Sequence, residues 1–376
     1  MNVLFVAEYY FANPDFVRLS RELAKRGHGM HVATSLRVWD KKALDTVSIF
    51  EIKPMVSIHK IPHTLSFPLS KLNQIVRKQG INVIHVLNDG STNAAAASLV
   101  AKATKKSLVY TIQGPGTRTG HFLVDSITSI YILTVESWIA REAQKILLLS
   151  RSLTSLSDRM GIERSKTVVI PSGIDTEYFS PESSDTKEKA SRLRDELDLN
   201  DEITIGYVGR LFPAKGLTYL FSAMKQIQDS HPNVALLIVG DGAQRSELET
   251  IAKTMKIRTI FAGWQHDVLP YYALMDVFVL PSLFEGLPNV ILEAMAMKTA
   301  VVATNVGGNP DVLTHGENGF LVPTRDASKL AWALEKLVED DDLRIKMAEN
   351  NRRKVEEHFK WSKTVEKVEK VYRELI

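Results

Sequence analysis

Short strand-like apolar runs alternate with helix-spaced segments along the whole chain, and the series is played twice. "NVLFVA" (2–7) leads into "DFVRLSRELAKRG", whose apolar residues recur at helical spacing up to Gly27. "MHVATS", "VSIFEI", a helix near 69–79, "INVIHVL", an Ala-rich helix near 91–104, "SLVYTI", "KILLLS" and "KTVVIPSGID" (166–175) complete the first series. The polar stretch 180–202, "SPESSDTKEKASRLRDELDLNDE", reads as a linker running into an exposed helix. The alternation restarts with "ITIGYVGR", "VALLIVGDG", "RTIFAGW", "DVFVLPS", "TAVVAT" and "GFLVPT", and three polar helices close the chain. Strands that alternate with helices form parallel sheets covered on both faces. The expected fold class is therefore α/β, with two Rossmann-like, doubly wound domains facing a cleft. With 376 residues, the chain is long enough for both.

Composition narrows the functional classes. Lys and Arg number 47 against 44 Asp and Glu, a balance that does not point to nucleic acid. The absence of cysteine rules out disulfides, thiolate metal sites and cysteine nucleophiles, and agrees with a reducing compartment. "MNVLFVAEYY" has no basic start and meets Glu8, so no secretory signal is expected. The most apolar window, 122–138, contains Asp125 and Glu136 and reads as a buried helix rather than a membrane span. Peripheral membrane attachment is compatible with this composition but not required by it.

Ligands of doubly wound sheets bind beyond the carboxyl ends of the strands. Gly-rich breaks at 209–216, 240–242 and 307–308 all follow strands and so gather at one edge of the second domain. In "FEGLPNVILEAMA" (284–296), Pro288 suits the first helical position, and a helix is expected over about 289–297. The start of such a helix attracts phosphate. Glu285 stands just outside it, placed to accept hydrogen bonds from hydroxyls, and Glu293 shares a helix face with Asn289. Hydroxyls at both ends and phosphate in the middle is the layout of a nucleotide sugar. Arg210 and Lys215, between Gly209 and Gly216 in "VGRLFPAKG", supply cations for a departing diphosphate. Each of these residues alone is more readily explained as solvated surface charge or helix-end electrostatics than as part of a site. It is their grouping at one sheet edge that favours a site.

The stretch 281–322, "PSLFEGLPNVILEAMAMKTAVVATNVGGNPDVLTHGENGFLV", closely resembles the signature of the retaining nucleotide-sugar glycosyltransferases of family 4, which have the GT-B fold. "VGRLFPAKG", "IVGDG", "IFAGW" and "IPSGID" match other landmarks of that family in order. The resemblance is strong over 165–325 and looser over 1–150, where "INVIHVLN" and "SLVYTIQGPG" carry it. It implies a domain of 1–178 on the acceptor side, a donor domain of 179–358, and a final helix within 359–376 that crosses back to the first domain. Domain closure would bring the acceptor to the sugar. The helix has an apolar face for that return in Val365, Val368, Val371, Tyr372 and Leu375.

By residue, the resemblance assigns Glu285 to the transferred sugar, Arg210 and Lys215 to the donor phosphates, and Glu293 to the ribose. Gly286, Leu287, Asn289 and Val290 line the sugar and phosphate, Gly209 and Gly240 form nearby turns, and Gly263 borders the base. The acceptor side offers Gln113, His121, His85 and Asn13. Gln113 stands where the family often has His, and it cannot serve as a general base. Asn13 and Pro14 occupy the loop where relatives often carry paired glycines. His85 divides evenly between a cleft role and packing.

No cofactor or metal is implied. "DDD" at 340–342 lies between helices and reads as a solvated cluster. The expected partners are a nucleotide-diphosphate sugar and a glycan, lipid or small-molecule acceptor, in the cytoplasm or at the inner face of a membrane. Oligomeric state is not legible. Two other readings stay open: a nucleotide-sugar epimerase of the same fold, and an inactive nucleotide-sugar-binding subunit. An oxidoreductase fits poorly, because the first strand is not followed by G-x-G-x-x-G.

Overall fold

A computed structural model describes residues 1–7, 14–34, 46–53, 56–57, 64–65, 67–88, 92–114, 130, 132–199 and 202–376. The chain divides into two compact units, Met1–Gly173 with Trp361–Ile376, and Ile174–Lys360. The divide falls after Gly173 and again after Lys360, a few residues from the 178 and 358 expected from the sequence.

The first unit runs β1 (Asn2–Val6), α1 (Pro14–Lys25), β2 (Gly29–Thr34), β3 (Val47–Glu51), β4 (Val56–Ser57), β5 (Thr64–Leu65), α2 (Leu69–Lys78), β6 (Val83–Leu87), α3 (Thr92–Thr104), β7 (Ser107–Ile112), α4 (Ser137–Glu142), β8 (Lys145–Leu148), α5 (Thr154–Arg159) and β9 (Thr167–Val169). Its main sheet is parallel, in the order β3-β2-β1-β6-β7-β8-β9, while β4 and β5 pair as a separate antiparallel hairpin. All five residues of β6, "VIHVL", are buried. Successive strand residues point to opposite faces, so this pattern means that both faces of the sheet are covered. Of the apolar window 122–138, residues 122–129 and 131 lie outside the described residues. Ile132–Glu136 forms a π-helical turn that enters α4, where Ser137, Ile139 and Ala140 are buried.

The second unit runs α6 (Ser184–Glu196), β10 (Ile203–Val208), α7 (Leu217–Ser230), β11 (Val234–Val239), α8 (Arg245–Met255), β12 (Thr259–Gly263), α9 (Leu269–Leu274), β13 (Val277–Leu280), α10 (Asn289–Ala296), β14 (Ala300–Thr304), α11 (Asn309–Val312), β15 (Phe320–Val322), α12 (Ala327–Glu339) and α13 (Asp341–His358). Its sheet is parallel throughout, in the order β12-β11-β10-β13-β14-β15. The polar stretch after residue 180 becomes α6, started by the Ser183 side chain accepting from the Thr186 amide at 3.3 Å. Asp340 likewise caps α13 by accepting from the Leu343 amide at 2.8 Å, which gives the first acid of the "DDD" run a helix-end role.

The last helix, α14 (Trp361–Arg373), belongs to the first unit. It buries Trp361, Thr364, Val365, Val368, Val371 and Tyr372 and joins a core with Phe5, Phe16, Leu19 and Leu23. Leu375, expected on the same face, is only partly buried. Each fully buried valine contributes about 1.5–3 kcal/mol relative to exposure. At the polar edge, Glu369 accepts from Arg26 and meets the His28 ring, both at 3.0 Å. With Arg373 hydrogen-bonding it most strongly, the Glu369 carboxyl is held down at about 2. No helix among the described residues is long and apolar enough to cross a membrane.

Candidate functional site

In each main sheet the strand order reverses beside the first strand: between β1 and β6 in one, between β10 and β13 in the other. Loops leaving such a reversal diverge to opposite sides and leave a crevice at the carboxyl edge. In the second unit these are the loops 209–216 and 281–288, which hold Arg210, Lys215 and Glu285.

The two loops are fastened backbone to backbone. The Leu283 amide donates to the Ala214 carbonyl at 2.8 Å. Gly216 adopts φ +66°, and a β-carbon there would lie 2.2 Å from the Pro281 carbonyl oxygen. On the other side, Gly308 donates to the Gly286 carbonyl at 2.6 Å. Gly307, at φ +53°, passes so close that a β-carbon would sit 2.0 Å from the Glu285 carbonyl oxygen. Only bare backbone fits at these two crossings, and they fix where the Glu285 side chain starts.

That side chain is 9% exposed, and its Oε1 receives Lys215 Nζ at 2.5 Å and Ser282 Oγ at 2.6 Å. Lys215 is 21% exposed and ends a short 3-10 turn over Pro213–Lys215. The structure thus pairs two groups that the sequence suggested would grip different parts of a ligand. Nothing in the sequence pattern singles out Ser282. Its own carbonyl accepts from Thr304 Oγ1 at 2.5 Å, which anchors it to the end of β14.

Arg210 differs from Lys215. It is exposed, its guanidinium carbon lies 5.3 Å from the Phe212 ring centroid, and it pairs with no carboxylate among the described residues. Its carbonyl accepts from the buried Tyr207 hydroxyl at 2.9 Å. Burial is the main cause that pushes the Tyr207 phenol up, the Glu285 charge adds to it, and Arg210 opposes it. Glu285 and Arg210 therefore act on one buried hydroxyl.

Glu293, half-buried one turn into α10, accepts from Tyr272 Oη at 2.7 Å, and the same hydroxyl reaches the Val290 carbonyl at 3.4 Å. Burial, reinforced by Glu293, keeps the Tyr272 phenol far above its ordinary range. Tyr272 comes from α9, and no sequence pattern points to this link across 21 residues. Pro288 is the N-cap of α10, extended at φ −82° and ψ 108°, and not its first helical residue; it supplies no side-chain cap. Leu287 and Val290 pack against the core of the unit. Gly209 donates to the Val239 carbonyl at 2.9 Å and Gly240 to the Gly263 carbonyl at 2.7 Å, which ties the ends of β10, β11 and β12 together. An uncapped helix start, an exposed arginine and a lysine held by a carboxylate form a place that can take an anion.

The acceptor-side candidates lie in the first unit or outside the described residues, as Asn13 and His121 do. His85 is fully buried. Its Nδ1 meets Tyr372 Oη at 2.5 Å and its Nε2 meets Thr111 Oγ1 at 2.6 Å. Burial holds this imidazole down at about 3. Both nitrogens are committed to the core, so packing, and not ligand binding, accounts for this residue. Gln113 follows β7, with its amide donating to Asn88 Oδ1 at 2.8 Å. It lines a cavity of about 30 Å³ with Asp15, Thr111, Ser172 and Trp361, among others, and Asp15 accepts from Ser172 Oγ at 2.6 Å.

Comparison with known proteins places these features in a family. The Glycosyltransferase Family 4 model matches residues 16–178, and the model for group 1 glycosyl transferases matches residues 189–354. An Escherichia coli protein named UDP-Gal:alpha-D-GlcNAc-diphosphoundecaprenol alpha-1,3-galactosyltransferase is 28% identical over 82% of this chain and 79% of its own length. The Staphylococcus aureus capsular polysaccharide biosynthesis glycosyltransferase CapM is 29% identical over 76% of each. Among solved structures, HepE of Anabaena in complex with UDP superposes with a TM-score of 0.83 over the full length of both chains at 21% identity, and its UDP-glucose complex gives 0.82. With one family model on each parallel-sheet unit, and GT-B neighbours that match end to end, the chain belongs to the family 4-type glycosyltransferases of GT-B fold.

Proposed function

We propose that this glycosyltransferase moves a hexose from a nucleoside diphosphate sugar to an acceptor hydroxyl with retention of anomeric configuration. The observation that carries this reading is the Lys215–Glu285 pair, held at the strand-order reversal beside an exposed Arg210. Arg210 and Lys215 take the diphosphate together with the start of α10, Glu285 holds sugar hydroxyls, and Glu293, steadied by Tyr272, holds the ribose. Gly263 and the turn after it border the base. The HepE complexes with UDP and UDP-glucose support a uridine donor, and so does the donor named for the E. coli relative. The acceptor is assigned to the first unit, where the names of the relatives support a glycan or lipid-linked sugar.

In the reaction the bond from the anomeric carbon to the phosphate oxygen breaks and a bond to the acceptor oxygen forms. Positive charge builds on the sugar ring while negative charge builds on the leaving diphosphate, which the two cations stabilise more strongly than in the ground state. The leaving phosphate oxygen takes the acceptor's proton on the same face. That route needs no basic side chain at position 113 and no metal.

The test begins with a thermal-shift screen of UDP-, GDP- and ADP-hexoses, followed by transfer assays with the stabilising donor. Lys215→Ala and Glu293→Ala should each impair donor use severely, and the product should keep the donor's configuration by NMR. Near-normal turnover in both variants would remove the site, and an inverted product would remove the mechanism. Interconversion of donor sugars without acceptor would favour an epimerase instead.

A further inference from the structure

On the second unit, away from the loops just described, His231 ends α7 while Glu335 and Glu339 stand one turn apart on α12, which packs against it. His231 Nε2 lies 3.5 Å from Glu335 Oε1 and 3.7 Å from Glu339 Oε1. This nitrogen is closed off from water and makes no hydrogen bond. One ligand atom from each of the three residues falls within 4.8 Å of the others. The side chains are 25%, 38% and 47% exposed respectively, so the group opens to solvent on one side.

We propose that His231, Glu335 and Glu339 bind a zinc ion that staples the end of α7 to the end of α12. Ligand atoms about 2.0–2.2 Å from a tetrahedral zinc stand about 3.3–3.6 Å apart. The two nitrogen–oxygen separations are already near that edge length, so only small side-chain rotations are needed. One imidazole nitrogen and two carboxylate oxygens form a zinc donor set, and water completes the tetrahedron from the open side. The ion also answers two local costs. It gives the enclosed Nε2 a partner, and it neutralises two carboxylates that repel one another at i, i+4 spacing. Lys336 Nζ, 3.7 Å from Glu339 Oε2, is the competing cation. Its contact is with Oε2, while Oε1 is the oxygen that meets His231 and is left for the metal.

The experiment is calorimetric titration of the full chain with zinc chloride at pH 7.5, with melting temperature read in parallel. The expected result is one zinc per chain, a higher melting temperature with zinc, and at least a tenfold loss of affinity in both His231→Ala and Glu335→Gln. Sugar transfer in these variants should match the parent, since neither residue belongs to the donor site, so a failed donor assignment would not mimic a failed zinc site. No saturable binding at 100 µM zinc, or equal binding by parent and both variants, would overturn the proposal.

Discussion

The carboxyl edges of the two sheets share a topology and differ in chemistry. In the second unit, loops from β10 and β13 are locked together by glycine crossings and an ion pair, and an arginine is left exposed beside them. In the first unit, the corresponding edge surrounds a cavity with room for about one water, of about 30 Å³, lined mostly by apolar and neutral side chains. Its one carboxylate, Asp15, receives the Ser172 hydroxyl, and its histidine is sealed between Thr111 and Tyr372. A doubly wound sheet determines where a ligand can bind, but the side chains at its edge determine which ligand. Among the described residues, one edge gathers paired and exposed charges, and the other gathers apolar and neutral polar side chains around a single carboxylate.

The sharpest way to break this contrast is Glu285→Ala. It removes the group that holds Lys215 and leaves a partly buried ammonium without its partner. Transfer should fall about 10²–10³-fold, in the range of a lost transition-state contact, with melting temperature also lowered. A variant that keeps more than a tenth of the parent's kcat would take Glu285 out of the reaction. Arg210→Ala should follow with about a tenfold to hundredfold loss in kcat/KM for donor, and with unchanged stability, because the exposed guanidinium pairs with no carboxylate among the described residues. Donor kinetics and denaturant unfolding, measured on the same preparation, separate the two effects.

A prediction of intermediate size concerns the other edge. His85 takes up a proton only near pH 3 in the folded chain, whereas the unfolded chain takes it up near the ordinary value of about 6.5. The contribution of neutral His85 is therefore complete above about pH 6.5 and drains away as pH falls from there toward 3. At pH 5 the loss amounts to about 2 kcal/mol. Unfolding free energy measured from pH 7.5 to 5 should slope less steeply in His85→Gln than in the parent. Equal slopes would mean that His85 is not the buried base described here.

The smallest effect is expected at Gln113. Gln113→Ala should raise KM for acceptor a few fold and leave KM for donor unchanged. A change confined to donor would place this residue on the wrong side of the comparison.

The contrast also explains what the sequence made legible. "VALLIV" and "VFVL" announce strands buried on both faces, and the glycines and charges that follow them mark a sheet edge, because strand ends and turn residues are local properties. Lys215 and Glu285 could be grouped in this way, 70 residues apart. Their direct contact could not be read, since it depends on two loop crossings that only the fold creates. Tyr272 reaches Glu293 from a six-residue helix with no pattern of its own. His85 lies in the middle of an otherwise apolar strand, which is itself a sign of burial, yet its partner Tyr372 stands 287 residues away. Pro288 is the N-cap and not the first helical residue that its sequence context suggests, because proline suits both the last extended residue before a helix and the first residue within it.

The most direct measurement is a crystal structure of the chain with the nucleoside diphosphate hexose that raises its melting temperature most. The account predicts the diphosphate within hydrogen-bond distance of Lys215 Nζ and Arg210 at the start of α10, with sugar hydroxyls on Glu285 and ribose hydroxyls on Glu293. A diphosphate bound elsewhere, with Lys215 and Glu285 still paired and untouched by the ligand, would contradict it.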